Sequence, residues 1–167
     1  PRLNPRANPR RFDTPQWLGQ FSIEGKTILV HAEQGLGDTL QFCRYASAIR
    51  KRGARVILEV QPSLRELLSS LTDVDEVISQ GDPIPSHDCH CPILSLPLAL
   101  GTTLATIPAD APYLHASPVS RDKWRALLGP RHRPRIGIAW SGNRRQANDA
   151  VRSMSLATLL PLLALDA

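Results

Sequence analysis

The sequence predicts an α/β fold built on a mainly parallel sheet. The segment KTILVHAE (26–33) has an unbroken apolar core, Ile28 to Val30, and ARVILEV (54–60) is a second apolar segment, as expected of strands that are buried on both faces. Between them, GDTLQFCRYASAIRKRG (37–53) carries apolar residues at helical spacing. This alternation of strands and helices is typical of a parallel sheet whose strands are joined by crossover helices.

The elements of the first half follow in order along the chain. We predict a first strand at 26–33, a helix at 37–53 ended by Gly53, a second strand at 54–60, a short helix at 62–71 and a third strand at 75–79. Pro62 near the start of the short helix suits a first helical turn, where its missing N–H has no intrahelical partner to lose.

The second half continues the pattern less regularly. We predict a fourth short strand within 88–96, a helix that begins with LPLALG, a helix at 120–129, a fifth strand and turn at 133–143, and a last helix at 155–165. Right-handed crossovers then give the strand order 3-2-1-4-5 and a Rossmann-like three-layer sandwich. Ligands of such sheets bind beyond the carboxyl ends of the strands.

Composition excludes several classes of protein. The formal charge is +5, but the arginines are scattered beyond the basic tail at residues 2–11 and do not alternate with aromatic residues, so no nucleic-acid partner is expected. No apolar run approaches the ~18 residues of a membrane span. Three cysteines do not make a disulfide framework, which favours a reducing, cytoplasmic location. Both ends look cut from a longer chain.

The stretch HAEQGLGDTLQF (31–42) has the form of a strand, a glycine turn and the start of a helix. Gly35 and Gly37 match the first two glycines of a dinucleotide-binding fingerprint, and Glu59 stands about where the ribose-binding acid belongs. The third glycine position, however, is Leu40. We therefore keep a dinucleotide-binding domain only as a less favoured alternative.

Asp38 offers a second interpretation of the same stretch. A carboxylate in the first turn of a helix is stabilised as an anion by the backbone N–H dipoles. An ionised carboxylate can orient a hydroxyl nucleophile and accept its proton. The residues alone do not decide between this role and a purely structural one, in which Asp38 caps the helix.

Four stretches together resemble a known family. They are ILVHAEQGLGDTLQFCRY (28–45), GARVILEVQPSLRELL (53–68), DCHCPILSLPLALGTTLATIPADAPYL (88–114) and RIGIAWSGNRRQANDAVRSMSL (135–156). They resemble the glycosyltransferase domain that follows tetratricopeptide repeats in many bacterial proteins. That domain is similar to the family-9 glycosyltransferases, the lipopolysaccharide heptosyltransferases.

The resemblance implies the N-terminal half of a GT-B fold, in which two Rossmann-like domains face each other across a cleft. Residues 1–16 would be a linker or arm, 17–153 the acceptor-side domain, and 154–167 the start of a helix leading toward a missing donor-binding domain. The substrates implied are a nucleotide-sugar donor and a glycan, lipid or protein acceptor, with no metal or other cofactor. Asp38 maps onto the catalytic general base of the family.

Substrate contacts are expected in two groups of residues. The first consists of Glu33, Gln34, Gly35 and Gly37 beside Asp38, with His90 on the acceptor side of the cleft. The second follows the fifth strand and consists of Ser141, Gly142, Asn143, Asn148, Asp149, Arg152 and Ser153. Arg152 and Ser153 would give hydrogen bonds to phosphate, and that of Arg152 would be charge-assisted.

Two features keep alternatives open. The chain has Gln146 and Ala150 where the family pattern has His and Arg, which favours a non-catalytic binding or scaffold module with a degenerate transferase fold as the main rival. HDCHC (87–91) has the residue types of a metal site, but zinc usually takes ligands from two separated pairs and no second pair is present. We therefore predict no metal site.

Overall fold

The computed structural model describes residues 10–132, 134–142 and 149–164. The chain divides into two compact units, one ending at Ser120 and the other beginning at Arg121. The first unit confirms the predicted α/β class, because it contains an all-parallel sheet flanked by helices. The strands are β1 (Thr27–His31), β2 (Arg55–Val60), β3 (Glu76–Ser79) and β4 (Cys89–Pro92), and they lie side by side in the order β3-β2-β1-β4.

The helices of the first unit are short and are often extended by 3₁₀ turns. They are α1 (Leu36–Phe42), α2 (Ala46–Arg50), α3 (Arg65–Leu68) and α4 (Leu96–Ala99), with 3₁₀ turns at Cys43–Tyr45, Pro62–Leu64, Ile93–Ser95 and Leu104–Thr106. The turn Cys43–Tyr45 joins α1 to α2, so the helix predicted at 37–53 is present with one tightened turn in its middle.

The helices of this unit pack on one face of the sheet and form the main hydrophobic core. Alternate strand residues point toward them, among them Ile28 and Val30 of β1 and Cys89 and Cys91 of β4. The helices contribute buried Cys43, Ala46, Ile49, Leu64, Leu68, Ile93, Leu96 and Ala99. Burial of this apolar surface is the principal force that holds the helices to the sheet.

An N-terminal segment lies on the other face. Phe12 packs against the smaller core of Leu29, Ile57 and Ile78, and its ring stacks on His90 with centroids 4.3 Å apart. Arg10 donates two hydrogen bonds to the buried carboxylate of Glu59, one of them 3.0 Å long. Residues 10–16 of the predicted linker are therefore packed against the sheet, where the predicted three-layer sandwich would place a second layer of helices.

The predicted fifth strand is wrong for the residues described. Residues 134–142 form no strand in the structure, and Ile136 is 83% exposed. The outer edge of β4, where this strand was expected, already binds the segment before it: the His90 N–H donates to the Pro15 carbonyl at 3.1 Å, and the His90 carbonyl accepts from the Trp17 N–H at 2.8 Å. Pro92, the next residue on that edge, has no N–H to offer.

The second unit contains most of α5 (Pro118–Leu128), then α6 (Asp149–Arg152) and a 3₁₀ helix at Leu156–Ala164. None of its described side chains is buried. The division of the chain thus falls inside α5, whereas the predicted domain ended at residue 153. In the described part of the chain, no helix is both long enough and apolar enough to cross a bilayer.

His31 makes stability depend on pH. Its side chain is buried under Phe12, and burial, with His90, Arg10 and His87 nearby, lowers the pKa of His31 to about 4. Unfolding restores a pKa near 6.5, so the unfolded state binds the proton first as the pH falls. We therefore expect the free energy of unfolding to fall as the pH is lowered below 6.5, by about 2–3 kcal/mol on reaching pH 4.5.

Urea unfolding between pH 7.5 and 4.5 measures this loss. His31→Phe removes the titrating ring from the same position and should flatten the pH dependence, although His90 keeps part of it because burial also lowers its pKa. His115→Gln, at an exposed position, should keep the native pH dependence. Equal slopes for the native protein and His31→Phe would contradict the assignment to His31.

Candidate functional site

The carboxyl ends of the four parallel strands meet at one edge of the sheet, and polar residues follow three of them. Glu33 and Gln34 come shortly after β1, Gln61 directly after β2, and Gln80 directly after β3. In an open parallel sheet this edge is where ligands bind. We therefore treat it as the candidate active site.

Asp38 lies half-buried in the first turn of α1, at this edge. Its Oδ2 accepts a hydrogen bond from the Gly35 N–H at 3.0 Å, which is the side-chain-to-backbone half of a capping box. Within the described part of the chain, Oδ1 accepts no hydrogen bond. The carboxylate therefore caps the helix with one oxygen and presents the other.

The remaining predicted residues of the first group surround Asp38. Glu33, Gln34, Gly35 and Gly37 are all exposed in the turn that leads into α1. The carboxylate of Glu33 also accepts a hydrogen bond from the Leu94 N–H at 3.4 Å, which ties the turn to the segment after β4. Although Glu33 as a whole is exposed, its carboxylate is partly withdrawn from water where it meets the segment after β4. This loss of hydration raises the pKa of Glu33, and the hydrogen bond from Leu94 opposes that shift.

Two glutamines that sequence reasoning missed hold this turn in place. The side-chain amide of Gln61 donates to the Gln34 carbonyl at 2.8 Å, and its Oε1 accepts from the Thr39 hydroxyl at 3.0 Å. The amide of Gln80 donates to the Ala32 carbonyl at 3.1 Å. Their position in the sequence could have indicated this role, because each glutamine is the first residue after a strand and therefore lies at the carboxyl edge of the sheet.

His90 lies away from this turn. It occupies the middle of β4 on the face covered by Phe12, and its Nδ1 is 3.3 Å from Nε2 of His31. Burial, with His87 nearby, lowers the pKa of His90. A packed ring in mid-strand has little access to a substrate at the carboxyl edge, so we leave His90 out of the site.

The second predicted group lies in the second unit. The Ser153 hydroxyl donates to Asp149 Oδ1 at 2.6 Å and accepts from the Gly142 N–H at 3.0 Å, so these three residues form one bonded cluster. Arg152 is exposed at the end of α6, and Ser141 is exposed beside Gly142. The other predicted members, Asn143 and Asn148, lie outside the described residues, as does Gln146.

Glu59 is not available for the role that the dinucleotide alternative gives it. Its side chain is 1% exposed and is bound by the guanidinium of Arg10. A ribose hydroxyl would have to displace that guanidinium and would leave a buried carboxylate without its cation, which is costly. This ion pair counts against dinucleotide binding.

The HDCHC stretch is divided between the two faces of the sheet. Cys89 and Cys91 are buried on the face toward the helices, and burial raises the pKa values of their thiols to about 11 and about 12. His90 points to the opposite face. Over the ranges that the structure describes, no group of three or more His, Cys, Asp or Glu side chains is arranged to hold a metal ion.

Comparisons with protein-family models, with curated proteins and with solved structures find no match to this chain.

Proposed function

We propose that this chain is the acceptor-side half of a cytoplasmic glycosyltransferase that transfers a sugar from a nucleotide-sugar to an acceptor hydroxyl, with Asp38 as general base. The observation that carries the proposal is the position and hydrogen bonding of the Asp38 carboxylate. It stands at the carboxyl edge of a parallel sheet, with one oxygen fixed by the Gly35 N–H and the other directed away from that bond. The resemblance of residues 28–45 and 135–156 to the transferase family supports the same assignment.

The chemistry assigned to Asp38 is a single proton transfer. The acceptor hydroxyl donates a hydrogen bond to Oδ1, and its proton passes to the carboxylate as the hydroxyl oxygen forms a bond to the anomeric carbon. The bond from that carbon to the diphosphate oxygen breaks, and the nucleoside diphosphate leaves with the electron pair. The Gly35 N–H keeps the carboxylate oriented throughout.

The donor side of the proposal uses the cluster in the second unit. Arg152 would contact the diphosphate with its charge, and Ser141 and Gly142 with polar groups. The remaining donor contacts would come from a second Rossmann-like domain of a longer chain that also carries tetratricopeptide repeats. No metal or other cofactor enters the proposed reaction, and the acceptor is a glycan, a lipid or a protein.

Nucleotide release tests the proposal directly. The longer natural chain is incubated with a panel of ADP-, UDP- and GDP-sugars, beside the fragment of residues 1–167. We expect release from one donor class by the longer chain and none by the fragment, because the fragment lacks most of the donor site. Turnover by the fragment would contradict the two-domain arrangement, and a folded longer chain that releases nothing from a broad panel would count against the transferase.

Arg152→Ala should weaken donor binding. Loss of a charge-assisted hydrogen bond to phosphate costs about 1.5 kcal/mol or more, which corresponds to a rise of at least ~10-fold in the donor KM. Arg121→Ala, which removes an exposed arginine from the same unit, is the matched control and should leave the KM unchanged. Equal KM values for the two variants would remove Arg152 from the donor site.

A non-catalytic scaffold with a degenerate transferase fold is the second candidate. Gln146 and Ala150 replace the His and Arg of the family pattern, and the capping bond of Asp38 would persist without any catalysis. The scaffold predicts that any nucleotide release is independent of Asp38. The transferase predicts that release depends on it.

A further inference from the structure

We infer that Gln61 is a positioning residue for Asp38 and that it acts through the peptide bond between Gln34 and Gly35. The catalytic part of this inference rests on the proposed function. The structural part concerns one chain of hydrogen bonds and can be measured without any substrate.

One peptide plane connects the two side chains. The carbonyl of Gln34 accepts a hydrogen bond from the Gln61 amide at 2.8 Å, and the N–H of Gly35, on the same peptide, donates to Asp38 Oδ2 at 3.0 Å. In a planar trans peptide the C=O and the N–H point in opposite directions. Gln61 therefore fixes the direction in which this peptide presents its N–H to the carboxylate.

Gln61 is itself held from the helix that carries Asp38. The hydroxyl of Thr39 donates to Gln61 Oε1 at 3.0 Å, and Thr39 is fully buried. Thr39 is the neighbour of Asp38 in α1, and its N–H donates to the Gly35 carbonyl at 3.3 Å. The hydrogen bonds thus close a ring through the turn, Asp38, Thr39 and Gln61, and each member restricts the others.

Loss of the Gln61 donor should free this peptide. The turn is exposed and Gly35 has no side chain, so rotation of the Gln34–Gly35 peptide meets little steric resistance. A rotated peptide would point its carbonyl, instead of its N–H, toward the carboxylate. Asp38 would then lose the bond that orients Oδ1 toward the acceptor.

Gln80 provides a matched control. It donates to the Ala32 carbonyl at 3.1 Å with the same chemical group and in the same turn. That carbonyl belongs to the Ala32–Glu33 peptide, two residues before the peptide that contacts Asp38. Gln80→Met therefore loosens the turn without releasing the N–H of Gly35.

The test follows the Gly35 amide proton by NMR in the 167-residue chain while the pH is lowered until Asp38 is protonated. An amide proton bonded to a carboxylate shifts when that carboxylate is protonated. We expect a shift in the native protein and in Gln80→Met, and its loss in Gln61→Met and in Asp38→Asn. An unchanged Gly35 titration in Gln61→Met would overturn the inference.

A second variant covers the case in which Gln61→Met does not fold, as judged from the resonances of β1–β4. Gln61→Glu keeps the size of the side chain and can accept from Thr39, but its carboxylate cannot donate to Gln34. The introduced carboxyl itself takes up a proton at low pH, so this variant is compared at pH 7 instead. We expect Asp38→Asn to shift the Gly35 amide resonance in the native background and to leave it nearly unmoved in the Gln61→Glu background, and an equal shift in both would overturn the coupling.

Measurements of nucleotide release distinguish a failure of this inference from a failure of the proposed function. In the longer natural chain, Gln61→Met should lower kcat for nucleotide release by ~10-fold or more with the donor KM unchanged, because the base is misplaced and the donor site is not. An unchanged kcat in a variant that has lost the Gly35 titration would overturn the positioning role. A native protein that shows the titration but releases no nucleotide would count against the transferase and leave the coupling supported.

Discussion

Asp38→Asn lowers nucleotide release by the longer natural chain at least ~10²-fold, if Asp38 is the general base. Asn has nearly the same shape, and its side-chain oxygen can still accept the hydrogen bond from the Gly35 N–H. The helix cap is thus retained, and the variant differs from the native protein mainly in its inability to accept a proton. The loss should appear in kcat and leave the donor KM nearly unchanged, because the donor contacts lie elsewhere.

Asp110→Asn controls for the loss of one negative charge. Asp110 is exposed and lies outside the turn that follows β1, so this variant should release nucleotide at the native rate. Equal rates for Asp38→Asn and the native protein would favour the scaffold alternative. The fold of both variants is checked by circular dichroism and by the urea midpoint.

Arg10→Ala should reduce the free energy of unfolding by about 2 kcal/mol. The variant leaves Glu59, 1% exposed, without its cation in the smaller core. Removal of one partner from a fully buried ion pair costs about 3–5 kcal/mol, and we expect less here because Arg10 is 41% exposed and solvent screens part of the interaction. Phe12 should also pack less well once the segment loses this anchor.

Urea unfolding at pH 7 measures this effect, with Arg11→Ala as the neighbouring control. Arg11 is exposed, so its truncation should change stability by no more than about 0.5 kcal/mol. Equal losses for the two variants would mean that residues 10–16 do not anchor to the sheet through Glu59.

Local sequence patterns were sufficient to predict the first four strands. β1 and β2 have unbroken apolar cores, and β3 and β4 are short segments in which buried residues are mixed with polar ones. The helical spacing of Cys43, Ala46 and Ile49 likewise indicated which face of the segment 37–53 would be buried. The fifth strand failed because a strand also needs a free edge to pair with. That edge was taken by Pro15 and Trp17, a pairing between distant parts of the chain that no local pattern indicates.

The candidate site likewise has some contacts that the local sequence predicts and others that depend on the tertiary structure. The helix-capping contact of Asp38 was predictable, because its partner, the Gly35 N–H, lies three residues away within one turn. The roles of Gln61 and Gln80 depend on the side-by-side order of β1, β2 and β3, which becomes known only with the tertiary structure. From the sequence, Glu59 was interpreted only as a ribose-binding acid, and no local pattern could select Arg10 among so many arginines as the partner of its carboxylate.

The pH dependence of nucleotide release in the longer natural chain tests the role of Asp38 most directly. Native protein and Asp38→Asn are compared at saturating donor and acceptor, over the range in which circular dichroism shows both to be folded. We expect the native rate to fall as the pH is lowered, because a protonated carboxyl cannot accept the hydroxyl proton, and the residual rate of Asp38→Asn to lack that fall. The same pH dependence and similar rates in both proteins would contradict the assignment of Asp38 as the base.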